Sequence, residues 1–195
     1  MEYSLSEYSA ITIEGDDFSG RNLSEKDFYN CTFKECNFTE SIMGRTDFDS
    51  CEFIDCNFTN SLINQTKFND IIFNSCKLMG LNFSQCSQFS FDLKFSHCII
   101  NSCNYSDLKM KNSEFTDCKI IDSYFQETFL AGVLFDGSSF ERTLFHNANL
   151  EGSSFCNASG YNIDPRVNKV RKAKFSVPDV LNLLNGFEIE IENNM

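Results

Sequence analysis

Cys36-Asn37-Phe38-Thr39-Glu40, Thr46-Asp47-Phe48-Asp49-Ser50 and Cys56-Asn57-Phe58-Thr59-Asn60 follow one another at ten-residue intervals and share one design: a small residue, an Asp or Asn, a phenylalanine, two polar residues. The phenylalanine belongs to a longer lattice. Every fifth residue from Ile13 through Phe18, Leu23 and Phe28 to Phe83 is apolar, fifteen of fifteen, and after a two-residue slip every fifth from Phe95 to Phe155 is apolar, thirteen of thirteen. With 42% hydrophobic residues, chance gives 28 successive hits with a probability on the order of 10⁻¹¹, so internal repetition governs the fold. Seventeen of the 22 phenylalanines occupy this lattice, which makes the core aromatic.

A period of five suits neither the 3.6-residue helix nor the two-residue strand. Two residues before each centre stands a second regular position, filled by Cys31, Cys36, Ser41, Thr46, Cys51 and Cys56 in the first half and by Cys98, Cys103, Ser113 and Cys118 after the slip. A large centre and a small neighbour two residues earlier both point inward, three positions face water, and the chain turns every five residues. The quoted segments resemble the pentapeptide-repeat family over about three-quarters of the chain. That resemblance implies an all-β fold, a right-handed quadrilateral parallel β-helix in which four pentads make a turn and residues twenty apart stack about 4.8 Å from each other. Roughly seven turns then give a rod about 35 Å long. Phe18, Phe38 and Phe58 form one expected column, Phe28, Phe48 and Phe68 a second, Phe33, Phe53 and Phe73 a third, with Asn37 over Asn57 as a polar ladder.

The lattice places a β-helix at residues 1–159, with its phase slip within 84–94, and a cap at 160–195. No apolar run approaches the roughly 18 residues of a membrane span and the chain starts with no signal-peptide pattern, so a cytoplasmic location is expected. Nine of ten cysteines, Cys31, Cys36, Cys51, Cys56, Cys76, Cys86, Cys98, Cys103 and Cys118, fall at the small inward position. Positions five apart lie on adjacent sides of a square coil, so these read as compact buried filler rather than zinc ligands. Cys156 reads as a surface thiol. His97 and His146 sit at outward positions with no nucleophile motif or phosphate loop nearby, which argues against an enzyme and implies no metal and no cofactor.

In the cap, Ser176 is a candidate N-cap and Pro178 suits a first turn, predicting a helix over about 177–185 stopped by Asn185-Gly186. Phe187-Glu188-Ile189-Glu190-Ile191 alternates like a strand. This ending resembles the quinolone-resistance and microcin-immunity members of the family, whose tails build a tail-to-tail homodimer; here Val177, Val180, Leu181, Leu184, Phe187, Ile189 and Ile191 are the corresponding candidates. The plainer alternative is a hydrophobic cap on the solenoid.

The net charge of −12 is uneven: residues 1–60 carry 13 acids against 4 bases. An acidic rod argues against direct nucleic-acid binding. The family resemblance implies a non-catalytic protein that mimics duplex DNA, binds DNA gyrase or topoisomerase IV, and protects them from quinolones or peptide toxins. Asp17, Asp27, Glu35, Asp47, Asp49, Glu52 and Asp55 are its candidate contacts, chosen by charge and expected exposure. Against this stands the cluster Arg166, Lys169, Arg171, Lys172 and Lys174, which makes the centre of a tail-to-tail dimer basic. The alternative is a scaffold for another protein partner, using outward apolar residues Ile42, Leu62, Phe129 and Leu134.

Overall fold

The computed structural model describes residues 5–87, 91–187, 189, 190 and 192. The five-residue period produces a four-sided parallel β-solenoid. One face carries the strands Glu7–Ser9, Asp27–Tyr29, Asp47–Asp49 and Lys67–Asn69, each paired in parallel with its neighbour twenty residues on. A second carries Thr12–Glu14, Thr32–Lys34, Glu52–Ile54, Ile71–Asn74, Leu93–Ser96 and Glu114–Thr116. A third includes Lys77–Met79, Ile99–Asn101, Lys119–Ile121 and Ser139–Glu141, and the fourth Tyr124–Gln126 and Leu144–His146.

Most pentads turn the corner two residues after the centre, in the left-handed region: Glu35, Asp55, Ser75, His97 and Asp117 stack at one corner with φ between 52° and 55°. This backbone is unfavourable for L-residues by roughly 1–2 kcal/mol apiece. Bonds to the next coil offset it, as where the Glu35 N–H donates to the Ile54 carbonyl at 2.8 Å and the Phe38 N–H to the Asn57 carbonyl at 2.7 Å.

Inside, the rings form ladders. Phe33, Phe53, Phe73, Phe95, Phe115, Phe135, Phe155 and Phe175 stack in one unbroken column with centroids 4.7–5.2 Å apart. Adjacent columns meet edge to face, as at Phe33 and Phe38, 5.5 Å and 69° apart. That is the arrangement ring quadrupoles favour. The expected columns from Phe18 to Phe58 and from Phe28 to Phe68 are present.

The small inward residue is also a hydrogen-bond donor. Thr46, Ser61, Thr66, Thr128 and Ser138 each donate a hydroxyl at 2.6–2.9 Å to the carbonyl of the centre twenty-three residues earlier. Cysteine does the same with its thiol, from Cys51 to Phe28 and from Cys76 to Phe53, both at 3.3 Å. All nine inward cysteines are buried. Burial pushes the Cys51 and Cys103 thiols up to about 12.

The phase slip is confined. Across it Ile71 pairs with Leu93 and Phe73 with Phe95, twenty-two residues apart, and Cys98 reaches the carbonyl twenty-five residues back instead of twenty-three. Phe91 is buried there; Phe89 lies outside the described residues. Coils on either side keep the spacing of twenty.

At the far end the stack runs one coil past the boundary expected at residue 159. Ser154–Phe155 pairs with Lys174–Phe175, and the Leu150 N–H donates to Lys169. Gly160 and Pro165 interrupt the lattice, and Tyr161, Ile163 and Asn168 fill the interior instead. The expected helix is a 3-10 helix over Asp179–Phe187. Ser176 does not cap it with its side chain: that hydroxyl accepts the Asn157 N–H at 3.0 Å, while its carbonyl accepts the Val180 N–H at 3.0 Å. The alternating strand is not formed at Phe187, which closes the helix, nor at Ile189 and Glu190; Glu188 and Ile191 lie outside the described residues. Among the described residues no helix is long and apolar enough to cross a membrane.

Candidate functional site

Because outward positions also repeat every twenty residues, charges align in columns. On the first face Glu7, Asp27, Asp47 and Lys67 stand in register. Lys67 closes the column with its Nζ 2.6 Å from Asp47 Oδ2, and that bond raises the lysine pKa. Asp49, one column over, accepts the Asn69 amide at 3.1 Å and the Ser50 hydroxyl at 2.8 Å. Tyr29 stands exposed beside them at 55%. Together these side chains line an open groove of about 370 Å³.

The seven candidate carboxylates do not form one site. Asp27, Asp47 and Asp49 share the first face; Glu52 is on the second, between Thr32 and Ile72. Glu35 and Asp55 stack at the next corner. Asp17 is on the third face, where hydrogen bonds from Ser19 and Asn37 lower its pKa. Glu7, Tyr29 and Lys67 join the first-face group although charge alone did not select them; the twenty-residue spacing of Glu7, Asp27, Asp47 and Lys67 was the available signal. Oppositely charged residues pair along the stack elsewhere too, Lys34 with Glu14 at 2.8 Å and Arg142 with Asp122 at 2.7 Å. These exposed pairs each contribute little to stability.

The fourth face is different in kind. Its two outward columns, Asn22, Ile42, Leu62, Asn82, Asn104, Tyr124, Leu144 and Ser24, Gly44, Asn64, Ser84, Ser106, Gln126, His146, carry no formal charge over seven coils. Ile42, Leu62, Tyr124 and Leu144 are exposed on it. Phe129 and Leu134 are exposed on the first and second faces.

At the C-terminal end, Val177 is 81% exposed and Ile189 55%, with Leu181 and Phe187 also exposed; Val180 and Leu184 are half-buried, and Ile191 lies outside the described residues. Leu183, rather than any of these, packs on the core. Arg166 holds Asp164 at 2.6 Å and lies 5.1 Å over the Phe187 ring. His97 and His146 are exposed and Cys156 is half-buried. Among the described residues no three of His, Cys, Asp or Glu converge as metal ligands.

The family model for pentapeptide repeats matches residues 17–49 and 123–159, in eight copies. These two segments, a little over a third of the chain, carry pentapeptide repeats. Its solenoid is similar to full-length QnrB1, a plasmid-mediated fluoroquinolone resistance protein, with a TM-score of 0.54 at 18% identity over 94% of this chain and 100% of that one. A trypsin-treated QnrB1 variant gives a TM-score of 0.53 at 20% identity over 96% and 92%. At such identities the chain shares a fold with them. No curated protein matches it by sequence.

Proposed function

We propose that the protein is a non-catalytic, cytoplasmic protein-binding rod whose acidic N-terminal coils enter the basic, DNA-receiving cleft of DNA gyrase or topoisomerase IV and protect the enzyme from quinolones or peptide toxins. The observation that carries this reading is the stacked carboxylate column Glu7, Asp27 and Asp47 with Asp49 beside it, fixed on a stiff ladder of rings. Such an array presents negative charge at coil spacing without bases to read, which suits a surface evolved for phosphates. QnrB1, similar in fold, is a fluoroquinolone resistance protein, and that selects this enzyme class for the test. In a gyrase supercoiling assay with and without ciprofloxacin, micromolar protein is expected to inhibit the enzyme or restore activity in the drug's presence. Asp27→Lys with Asp47→Lys should abolish the effect; no effect from the unmodified protein overturns the reading.

The uncharged fourth face favours a second reading, a scaffold for another protein partner docking on Ile42, Leu62, Tyr124 and Leu144. Association into a tail-to-tail homodimer is supported by the exposed Val177, Leu181, Phe187 and Ile189. Light scattering should give twice the chain mass for the intact protein and the single mass for Leu181→Glu with Ile189→Glu. Equal single masses remove the dimer.

A further inference from the structure

The residues preceding the third-face centres form an unbroken row: Cys36, Cys56, Cys76, Cys98 and Cys118 occupy the same inward position on five successive coils. Their hydrogens go to backbone carbonyls, from Cys36 to Ile13, Cys56 to Phe33, Cys76 to Phe53 and Cys98 to Phe73 at 3.3–3.5 Å, so the sulfurs themselves stand one above another at coil spacing. All are 1–2% exposed. The neighbouring rings Phe38 and Phe58 set the coil separation at 4.7 Å.

A metal–thiolate bond is about 2.3 Å long, so an ion held linearly between two sulfurs spans about 4.6 Å. That length matches one coil step. Zinc requires four ligands in a tetrahedron, and among the described residues no three candidate ligands converge. The row therefore suits only ions content with two soft ligands. Charge narrows the class further, since a monovalent ion between two thiolates leaves a buried net negative charge, which the interior disfavours, whereas a divalent ion gives a neutral unit.

We infer that the thiol row is a binding site for soft, linearly coordinated divalent ions, with mercuric ion as its representative, taken up as dithiolate bridges between successive coils. In each capture from mercuric chloride two S–H and two Hg–Cl bonds break, two Hg–S bonds form, and two protons and two chlorides pass to water; nothing is oxidised or reduced. Five thiols in a row accommodate two such bridges at once. Entry requires neighbouring coils to part, so uptake is slow.

The test uses the full chain carrying Cys31→Ser and Cys156→Ser, which removes the stacked partner of Cys51 and the half-buried thiol. The protein is incubated with mercuric chloride, washed with a weak thiol, and read by native mass spectrometry, ultraviolet sulfur-to-mercury absorption and circular dichroism. Two ions per folded chain are expected. Cys98→Ser leaves Cys36, Cys56 and Cys76 and should hold one; Cys56→Ser with Cys98→Ser leaves no adjacent pair and should hold none. Serine supplies the same donor to the distant carbonyl at Ser61 and Ser138, so these variants should fold. Equal stoichiometry in all three proteins, no ion retained by the parent, or uptake only with loss of the β-signal overturns the inference.

Discussion

Tyr105 is the one place where a polar atom interrupts the axial ladder of the fourth face. Its ring stacks 4.7 Å from Phe83 and 4.9 Å from Phe125 and is wholly buried, while its hydroxyl has no hydrogen-bond partner among the described residues. An unpaired buried hydroxyl costs about 1–3 kcal/mol. Tyr105→Phe keeps both stacks, and the space vacated, on the order of 10 Å³ at roughly 24 cal/mol per Å³, returns only about 0.2 kcal/mol as a penalty. The variant should therefore be more stable by about 1–3 kcal/mol, read as a raised urea midpoint at unchanged slope. Burial also pushes the Tyr105 pKa well above its usual value. The folded state holds its proton where the unfolded chain releases it, so the parent loses stability as the pH rises above about 10 and the variant's advantage widens there. A variant less stable than the parent by more than about 1 kcal/mol would mean that the hydroxyl is satisfied, and would refute the reasoning.

Ser138→Ala removes both the donor to Phe115 at 2.8 Å and the acceptor of the buried Cys118 N–H at 2.9 Å; it should lower stability by about 1–3 kcal/mol in urea titrations, and Ser138→Cys by less. Gly160 and Gly152 share φ near 70°, but a Cβ at Gly160 would overlap the Phe140 carbonyl oxygen whereas Gly152 has open space around it. Melting temperatures should accordingly fall well below the parent in Gly160→Ala and only modestly in Gly152→Ala. The bond from Arg142 holds the Asp122 carboxyl below its usual pKa. Its contribution is present above the unfolded carboxylate value and lost as pH falls through the folded one, so acid unfolding curves of the parent and Arg142→Ala should converge at low pH.

Most of the interior was legible before any coordinates, because a centre every five residues and a stack every twenty are both arithmetic on the sequence. Phe33, Phe53 and Phe73 could be assigned to one column with no further information, and the slip between Phe83 and Phe95 was countable. The final coil was not, because Gly160 and Pro165 occupy lattice points and Asn168 does by amide what Thr128 does by hydroxyl: its Nδ2 donates to the Phe145 carbonyl at 3.1 Å. The candidate site was legible only in part. Charge picked out seven carboxylates, but the face each occupies depends on its position within the twenty-residue turn, which separates Glu52 and Asp17 from Asp47 and adds Glu7. That Lys67 neutralises the end of the column follows from the same count.

A molecule whose every contact recurs after one full circuit has a length that is quantised. Excising residues 36–55 would splice Cys56 onto Glu35, drop Phe58 onto Phe18 and leave a shorter rod with no seam. The slip shows the complementary freedom, since two surplus residues are absorbed at a single circuit while those above and below are undisturbed. Such a chain can be lengthened or trimmed by duplication of its gene segment without redesign of its interior, so its reach can be tuned separately from what it presents on its sides.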